Sequence, residues 1–414
     1  MTTELQTDHN QLFKNIQREL DISPSKYQQA VDRYTAVGNW LEKGTYRNPQ
    51  DVPHIYPQGS FRLGTVIRPL KEGKESDYDI DLVCELQTNK RQTTPGEIKL
   101  SAGSRLKEHE TYKDMLDEEG RRCWTLNYSE EDGVGFHLDV LPSVPEPDQQ
   151  YLSCNAIAIT DKKDAGSYEW STSDPNGYAD WFDEKNRPTF ELIQFSEKNR
   201  IFMENKSVFA QVDKVPDQLV KTPLQGAIQI LKRHRDQRFS EHDLEEDKPI
   251  SMIITTLSAE LYNQEPDILS ALKGIVGQLL EHSKLVNPGW YEFKESYAGK
   301  SVINRKSDEE WYIPNPVNPN ENFADRWHEN NHRKAKAFFR WVAWVQEDLI
   351  EILDQYELED VCEALQPILG KDLVQKASKG LLVASASNVT SGADDDHPRI
   401  EIKNPSQPWG LNER

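Results

Sequence analysis

The stretch Tyr78-Asp79-Ile80-Asp81-Leu82-Val83 sets two aspartates two residues apart in an otherwise apolar run. Side chains two apart on a strand point to the same face. Ile80, Leu82 and Val83 therefore predict a strand with one face buried and Asp79 and Asp81 in a row on the open face. A second stretch, Phe136-His137-Leu138-Asp139-Val140-Leu141-Pro142, alternates in the same way. It reads as a second half-buried strand, with Asp139 opposite Phe136, Leu138 and Val140. Upstream, Pro57-Gln58-Gly59-Ser60-Phe61-Arg62-Leu63-Gly64-Thr65 is a glycine-punctuated turn suited to holding phosphates. Three converging carboxylates repel one another unless a counter-charge sits among them. The set Asp79, Asp81 and Asp139 thus reads as a cage for two hard divalent cations, as displacement at a phosphoryl group requires.

Each piece alone says little, because surface Asp-x-Asp pairs and Gly-Ser turns are common. The combination carries the reading. Asp77 shares strand parity with Asp79, but Glu75-Ser76-Asp77 reads as strand entry after a charged loop. His137 is expected to be structural, since bound metals already supply the acid–base work.

The chain has 414 residues, enough for one large or two intimately packed domains. Its formal net charge of −21 makes it a poor host for long nucleic acid, whose binding depends on neutralising phosphates. The densest cationic run, Lys232-Arg233-His234-Arg235, spreads over more than one helix face. It reads as local phosphate or salt-bridge partners. Cys84, Cys123, Cys154 and Cys362 are scattered without metal-ligand spacing. They are expected to be buried free thiols in a reducing cytoplasm. The first ten residues are polar and lack a signal segment, and no run of about 18 apolar residues could span a membrane. A cytoplasmic location without a membrane partner follows as the expectation.

Two helical patterns open the chain. Leu12, Phe13, Ile16 and Leu20 mark the first, and Ser23-Pro24 starts the second as N-cap and first-turn proline. Both are expected to pack against the catalytic core. A strand-rich region follows from about Ile55 to Leu141, with a helix around Leu100–Leu116 and a strand over Trp124–Tyr128. Residues 142–200 read as irregular. Beyond them, apolar stripes at helical spacing (Leu224, Ala227, Ile228, Leu231; Ile253, Ile254, Leu257, Leu261; Phe338 to Ile350) predict a helical lobe. The fold class is α+β, a small mixed sheet with helices packed on an α-helical C-terminal lobe and the active site between them. The expected division is 1–215 for the N-terminal helices and core, 216–384 for the helical lobe, and 385–414 for a mostly mobile tail. Asp394-Asp395-Asp396 in that tail reads as solvated charge.

Gly-Ser, the flanked Asp-x-Asp and the distal Asp are similar to the polymerase-β-like nucleotidyltransferases. Longer stretches narrow the likeness: Gln58 to Thr65, Ile67-Arg68-Pro69-Leu70, Ser76 to Val83, Trp170 to Tyr178, Leu231 to Arg235, Asn315 to Pro319 and Glu321 to Trp327. These resemble the bacterial cyclic GMP–AMP synthase/DncV-like nucleotidyltransferases, the CD-NTases of CBASS anti-phage systems, over roughly residues 10–350. One departure is the long loop between Ser60 and Asp79, with its charged insertion Lys71-Glu72-Gly73-Lys74-Glu75.

The resemblance implies a polymerase-β-like core on a helical lobe like that of oligoadenylate synthases. It implies attack of a ribose hydroxyl on the α-phosphate of an NTP, with Asp79, Asp81 and Asp139 holding two Mg²⁺ ions that Mn²⁺ can replace. Gln58, Gly59 and Ser60 would meet the triphosphate, and Lys232 and Ser251 would clamp its β- and γ-phosphates. Lys232 could equally be an exposed helix lysine. Arg62 could contact phosphate or pair with Asp77 or Glu75. ATP and a second NTP would be joined into a cyclic di- or trinucleotide for a separate effector, with regulatory or effector proteins encoded nearby. Two rivals remain at this level: a linear oligonucleotide or RNA-tailing enzyme, and a nucleotide-binding module without turnover.

Overall fold

A computed structural model describes residues 3–390, apart from 47–50, 72–73, 132–133, 149–154, 164–165, 241, 300, 308–309 and 356. Six strands form the main sheet: β1 Pro53–Gln58, β2 Tyr78–Leu86, β3 Trp124–Glu131, β4 Val134–Pro145, β5 Ile157–Lys162 and β6 Tyr168–Ser173. Their order is β1-β2-β4-β5-β6, with β3 also paired to β4. Strands β2 and β4 run parallel, and the other pairs are antiparallel. The alternation read in the sequence is kept. Ile80, Leu82, Leu138 and Val140 are buried, each with at most 1 % of its surface exposed. Each such side chain contributes about 1.5–3 kcal/mol by leaving water.

The longer helices of the frame are α1 Thr3–Leu20, α2 Pro24–Glu42, α3 Pro95–Lys107, α4 Pro175–Glu204, α5 Pro223–Phe239, α6 Ser251–Leu261, α7 Ile268–Glu281, α8 Glu329–Val345, α9 Leu358–Leu369 and α10 Lys371–Thr390. Several begin with a capping side chain followed by proline. Ser23 accepts from the Lys26 N–H before α2, and Asp174 accepts from Gly177 before α4. Thr94 and Thr222 each form a full capping box, with Glu97 and Gln225. These side chains satisfy backbone donors that a helix start leaves open, and proline there costs nothing.

Apolar side chains gather into two main cores. One lies between the sheet and helices α2 and α3. The other lies among the C-terminal helices and takes in the apolar face of α1. Leu12, Phe13 and Ile16 are fully buried against α5, α7 and α10. This corrects the expectation that α1 packs on the catalytic core; only α2 does. A helix whose apolar stripe is complete can serve either partner, and the sequence does not say which.

Three further expectations change. The described part of residues 142–200 is mostly regular, holding β5, β6 and most of the 30-residue helix α4. Residues 157–160 of β5 are buried on both faces, so no alternation announces a strand. Pro188 lies inside α4, and the nearby Lys185 carbonyl accepts from Gln264 at 2.7 Å. The apolar run Phe338 to Ile350 is not one uniform helix. It passes from α8 into a π-helical turn at Gln346–Glu351 that buries Asp348 between His234 and Arg238. Finally, α10 continues to Thr390, past the expected start of the tail; the rest of that tail, with Asp394-Asp395-Asp396, lies outside the described residues.

Among the described residues no helix is long and apolar enough to cross a membrane. Cys84, Cys123 and Cys362 are free thiols, and Cys154 lies outside the described residues.

Candidate active site

The sheet register brings the sequence motifs together. Gln58 pairs with Asp81 across β1 and β2. Asp81 pairs with Asp139 across β2 and β4, and Asp139 pairs with Thr125 across β4 and β3. The four residues form one row across four strands, at a spacing of about 4.8 Å. Asp79 stands two residues before Asp81, on the same face and exposed. Thr125 Oγ1 donates to Asp139 Oδ1 at 2.5 Å, a short charge-assisted bond that fixes this carboxylate. Nothing in the sequence singled out Thr125.

Where β1 ends, the chain turns into a short helix, Gly59–Arg62. Gly59 has φ +64, which a side chain disfavours. A Cβ there would overlap Asp81 Oδ2 and lie 3.0 Å from Asp81 Cγ. The turn backbone is thus pressed directly onto the Asp81 carboxylate. Proximity to phosphates is not the only reason for glycine here.

The loop after this turn is fastened by α5. Gln225 donates to the Leu63 carbonyl and Gln229 to the Val66 carbonyl, each at 2.9 Å. Lys232 Nζ donates to the Thr65 carbonyl and to Thr65 Oγ1, each at 3.1 Å. The three residues are spaced by four and three, so they share one helix face. Lys232 is 4 % exposed, which rules out the exposed-lysine reading. Burial and neighbouring Arg235 push its pKa down to about 7, against the pull of Asp236 and Asp81. Next to it, Arg235 donates to Asp236, the Pro249 carbonyl and Ser251 Oγ. This holds Ser251 at the N-terminus of α6. The rest of the cationic run is also engaged: Arg233 forms a salt bridge to Glu75 at 2.7 Å, and His234, kept neutral by burial, hydrogen-bonds Asp348.

Arg62 corrects another expectation. It pairs with Asp183 at 2.8 Å, not with Asp77 or Glu75. Glu75 is taken by Arg68 and Arg233. Asp77 accepts from the Gly135 N–H and faces His137, whose other ring nitrogen meets Asn127. Asp77 and His137 therefore brace the strand entry, as their sequence context suggested.

All the residues singled out as site candidates border one cavity of about 550 Å³, from Gln58 and Gly59 to Lys232 and Ser251. A larger hollow of about 860 Å³ lies among α1, α4 and α10. Lys14 and Arg200 there are already paired to Glu197, and the hollow has no aspartate row or glycine turn. The smaller cavity gathers the candidate residues. Its Asp81 carboxyl is pushed up to about 7, first by burial, then by Asp139 and Asp79, with Lys232 opposing. Among the described residues no three His, Cys, Asp or Glu side chains are gathered tightly enough to enclose an ion by themselves. The donor set nevertheless fits divalent cations: it is all carboxylate oxygen, it faces one cavity, and its mutual repulsion calls for positive charge.

Residues 7–186 match the second messenger oligonucleotide or dinucleotide synthetase domain. A c-di-GMP synthase of Roseivirga ehrenbergii is 27 % identical over 378 residues, 91 % of this chain and 88 % of that protein. The cyclic dinucleotide synthase CdnG of Bradyrhizobium diazoefficiens is 22 % identical, over 87 % of this chain and 80 % of its own length. Over most of its length the chain is thus similar to bacterial cyclic dinucleotide synthases. The likeness extends to the fold. The structure of CdnG from B. diazoefficiens in complex with GTP superposes on it with a TM-score of 0.65, at 19 % identity, covering 90 % of this chain and 99 % of CdnG.

Proposed function

We propose that this chain is a CD-NTase that joins nucleoside triphosphates, GTP among them, into a cyclic dinucleotide and releases pyrophosphate. The observation that carries the reading is the row of Gln58, Asp81 and Asp139, with the Gly59 backbone set against Asp81 and Lys232 across the cavity. The name of the Roseivirga relative supports guanine nucleotides as substrates.

Asp79, Asp81 and Asp139 would hold two Mg²⁺ ions, or Mn²⁺ in their place. Such ions supply charge neutralisation and make a ribose hydroxyl more acidic. The residues of the chain do the positioning. Thr125 keeps one Asp139 oxygen engaged, so the carboxylate presents its other oxygen in a fixed direction. The Gly59-Ser60 turn offers backbone N–H groups and the Ser60 hydroxyl to phosphate. Lys232 and Ser251, oriented through Thr65 and Arg235, would meet the β- and γ-phosphates. Gln58 and Arg62 border the same space. The acceptor oxygen forms a new bond to the α-phosphorus as the bond to pyrophosphate breaks. A second round within the same cavity closes the ring. In this reading residues 1–215 carry the metal-binding row and 216–384 the phosphate clamp. The chain would act in the cytoplasm, on free nucleotides rather than long nucleic acid, and its product would signal to a separate effector in phage defence.

The test is incubation of the full chain with labelled NTPs and Mg²⁺, followed by phosphatase treatment and mass spectrometry. A phosphatase-resistant cyclic product is expected. A phosphatase-sensitive ladder would establish a linear polymerase instead, and bound nucleotide without turnover would establish a binding module.

A further inference from the structure

The cavity also has a charged stretch of wall that the phosphate chemistry does not use. Glu321 lies there, on a hairpin formed by Pro314–Asn315 and Asn318–Asn322. Its Oε2 accepts from Asn315 Nδ2 at 2.8 Å and from Ser173 Oγ at 3.3 Å. Asn318 Nδ2 donates to Thr172 Oγ1 at 3.0 Å, which ties the hairpin to the end of β6. The carboxylate is therefore held by two elements at once. It can accept about four hydrogen bonds, and the two donors leave lone pairs for a ligand. Arg122, an exposed residue just before β3, borders the same cavity and acts electrostatically on Glu321. Phe323 lines the same cavity, half-buried and edge-on to Tyr178 with ring centroids 6.3 Å apart.

A carboxylate in the wall does not receive phosphate. It asks for a ligand edge that donates hydrogen bonds, next to a flat face for Phe323 and acceptors for Arg122. Guanine meets all three demands. Its N1–H and N2–H₂ donate along one edge, while O6 and N7 accept, the pair that arginine binds in bidentate fashion. Bases stack on aromatic side chains whatever their identity, so Phe323 would add affinity without discrimination. Adenine reverses the polarity: its N1 acceptor would face the carboxylate and its N6 donor would face the guanidinium.

We infer that Glu321 and Arg122 form a guanine-reading pair, with Glu321 accepting from the Watson–Crick donors and Arg122 donating to O6 and N7. This rests on the nucleotidyl-transfer reading for the cavity and adds the choice of base to it. A site built to pair with donors rejects bases that lack them, because its own polar groups are left unpaired. Each charge-assisted bond is worth about 10- to 100-fold in discrimination.

The experiment compares GTP, ATP and ITP, which lacks only the 2-amino group. Relative kcat/KM is taken from pyrophosphate release. Equilibrium binding is measured in parallel, by displacement of a fluorescent GTP analogue. The wild-type chain should prefer GTP over ITP by about tenfold and over ATP by about a hundredfold or more. Glu321→Gln, whose amide can donate to adenine N1, should lower the GTP-to-ATP ratio at least tenfold and bring GTP and ITP to within about threefold. Arg122→Met changes an exposed residue and should lower the GTP-to-ATP ratio without restoring ITP. A wild-type preference for ATP overturns the inference. So do ratios within twofold of wild type in both variants, including the result expected if Glu321 touched ribose hydroxyls instead. Absence of turnover with every NTP would count against nucleotidyl transfer, while the displacement ratios would still decide the base assignment.

Discussion

Gly59→Ala is the sharpest single perturbation of the proposed site, because it adds one methyl group where the backbone meets Asp81. Two costs follow. The residue sits at φ +64, and forcing alanine into that region costs about 1–2 kcal/mol. In a chain of this size such a loss lowers Tm by no more than a few degrees. The second cost falls on geometry. The new Cβ would overlap Asp81 Oδ2 and lie 3.0 Å from Cγ, whereas comfortable carbon contacts are about 3.5–4.0 Å. Either the carboxylate or the turn must retreat by roughly 1 Å. A misplacement of about 1 Å in a two-centre reaction costs on the order of 10²-fold in rate. Pyrophosphate release should therefore fall about a hundredfold or more while the protein stays folded. The assay pairs steady-state pyrophosphate release with thermal unfolding and circular dichroism. Activity within threefold of wild type would refute the claim that the Gly59 backbone and Asp81 form one reacting unit. Loss of activity accompanied by global unfolding would refute the claim that the damage is local.

Asp79→Ala combined with Asp81→Ala should abolish product, by more than about 10³-fold, while Tm holds or rises as carboxylate repulsion is relieved; product mass spectrometry with a melting curve checks both parts. The Asp81 carboxyl is raised from 3.8 to about 7, so between those values the folded state keeps a proton that the unfolded chain has released. Stability of the metal-free protein should thus fall as pH rises from about 4 to 7, Asp81→Asn should flatten that fall, and Mg²⁺ should raise Tm more at pH 8 than at pH 5. Lys232→Met should lower kcat/KM for NTPs about 10- to 100-fold, the value of hydrogen bonds to a charged group, as measured by initial rates. Arg62→Ala should change the rate less than threefold, because its partner Asp183 is half exposed and such pairs contribute about 0.2–1 kcal/mol; a tenfold loss would mean that Arg62 leaves Asp183 for the substrate.

Much of the fold around the row was legible from periodicity. The alternation of Tyr78–Val83 and Phe136–Leu141 is a local consequence of burying one face of each strand, so it can be read from a few residues. The Ser23 cap before Pro24 is equally local. Strand β5 was missed because burial on both faces erases alternation. Gln225 and Gln229, and the loop contacts they share with Lys232, were missed because the partners are backbone carbonyls of a loop some 160 residues away, and backbone carbonyls leave no mark in sequence. Glu321 and Arg122 were missed for the same reason: nothing near either residue along the chain says that they border one cavity.

The residue types of the candidate chemistry, Gly59, Ser60 and three aspartates, and the faces on which those aspartates stand, follow from sequence alone. Their periods and flanks are set by neighbours within four residues. Tertiary structure alone decided that Gln58, Asp81, Asp139 and Thr125 share one row, that Gly59 abuts Asp81, and that α1 belongs to the helical core. Those outcomes depend on strand register and on the competition between two apolar surfaces, which are properties of the whole chain at once. The pKa values near 7 at Asp81 and Lys232 belong to that second class. They arise when burial and opposed charges are brought together across 151 positions of sequence, and no residue carries them alone.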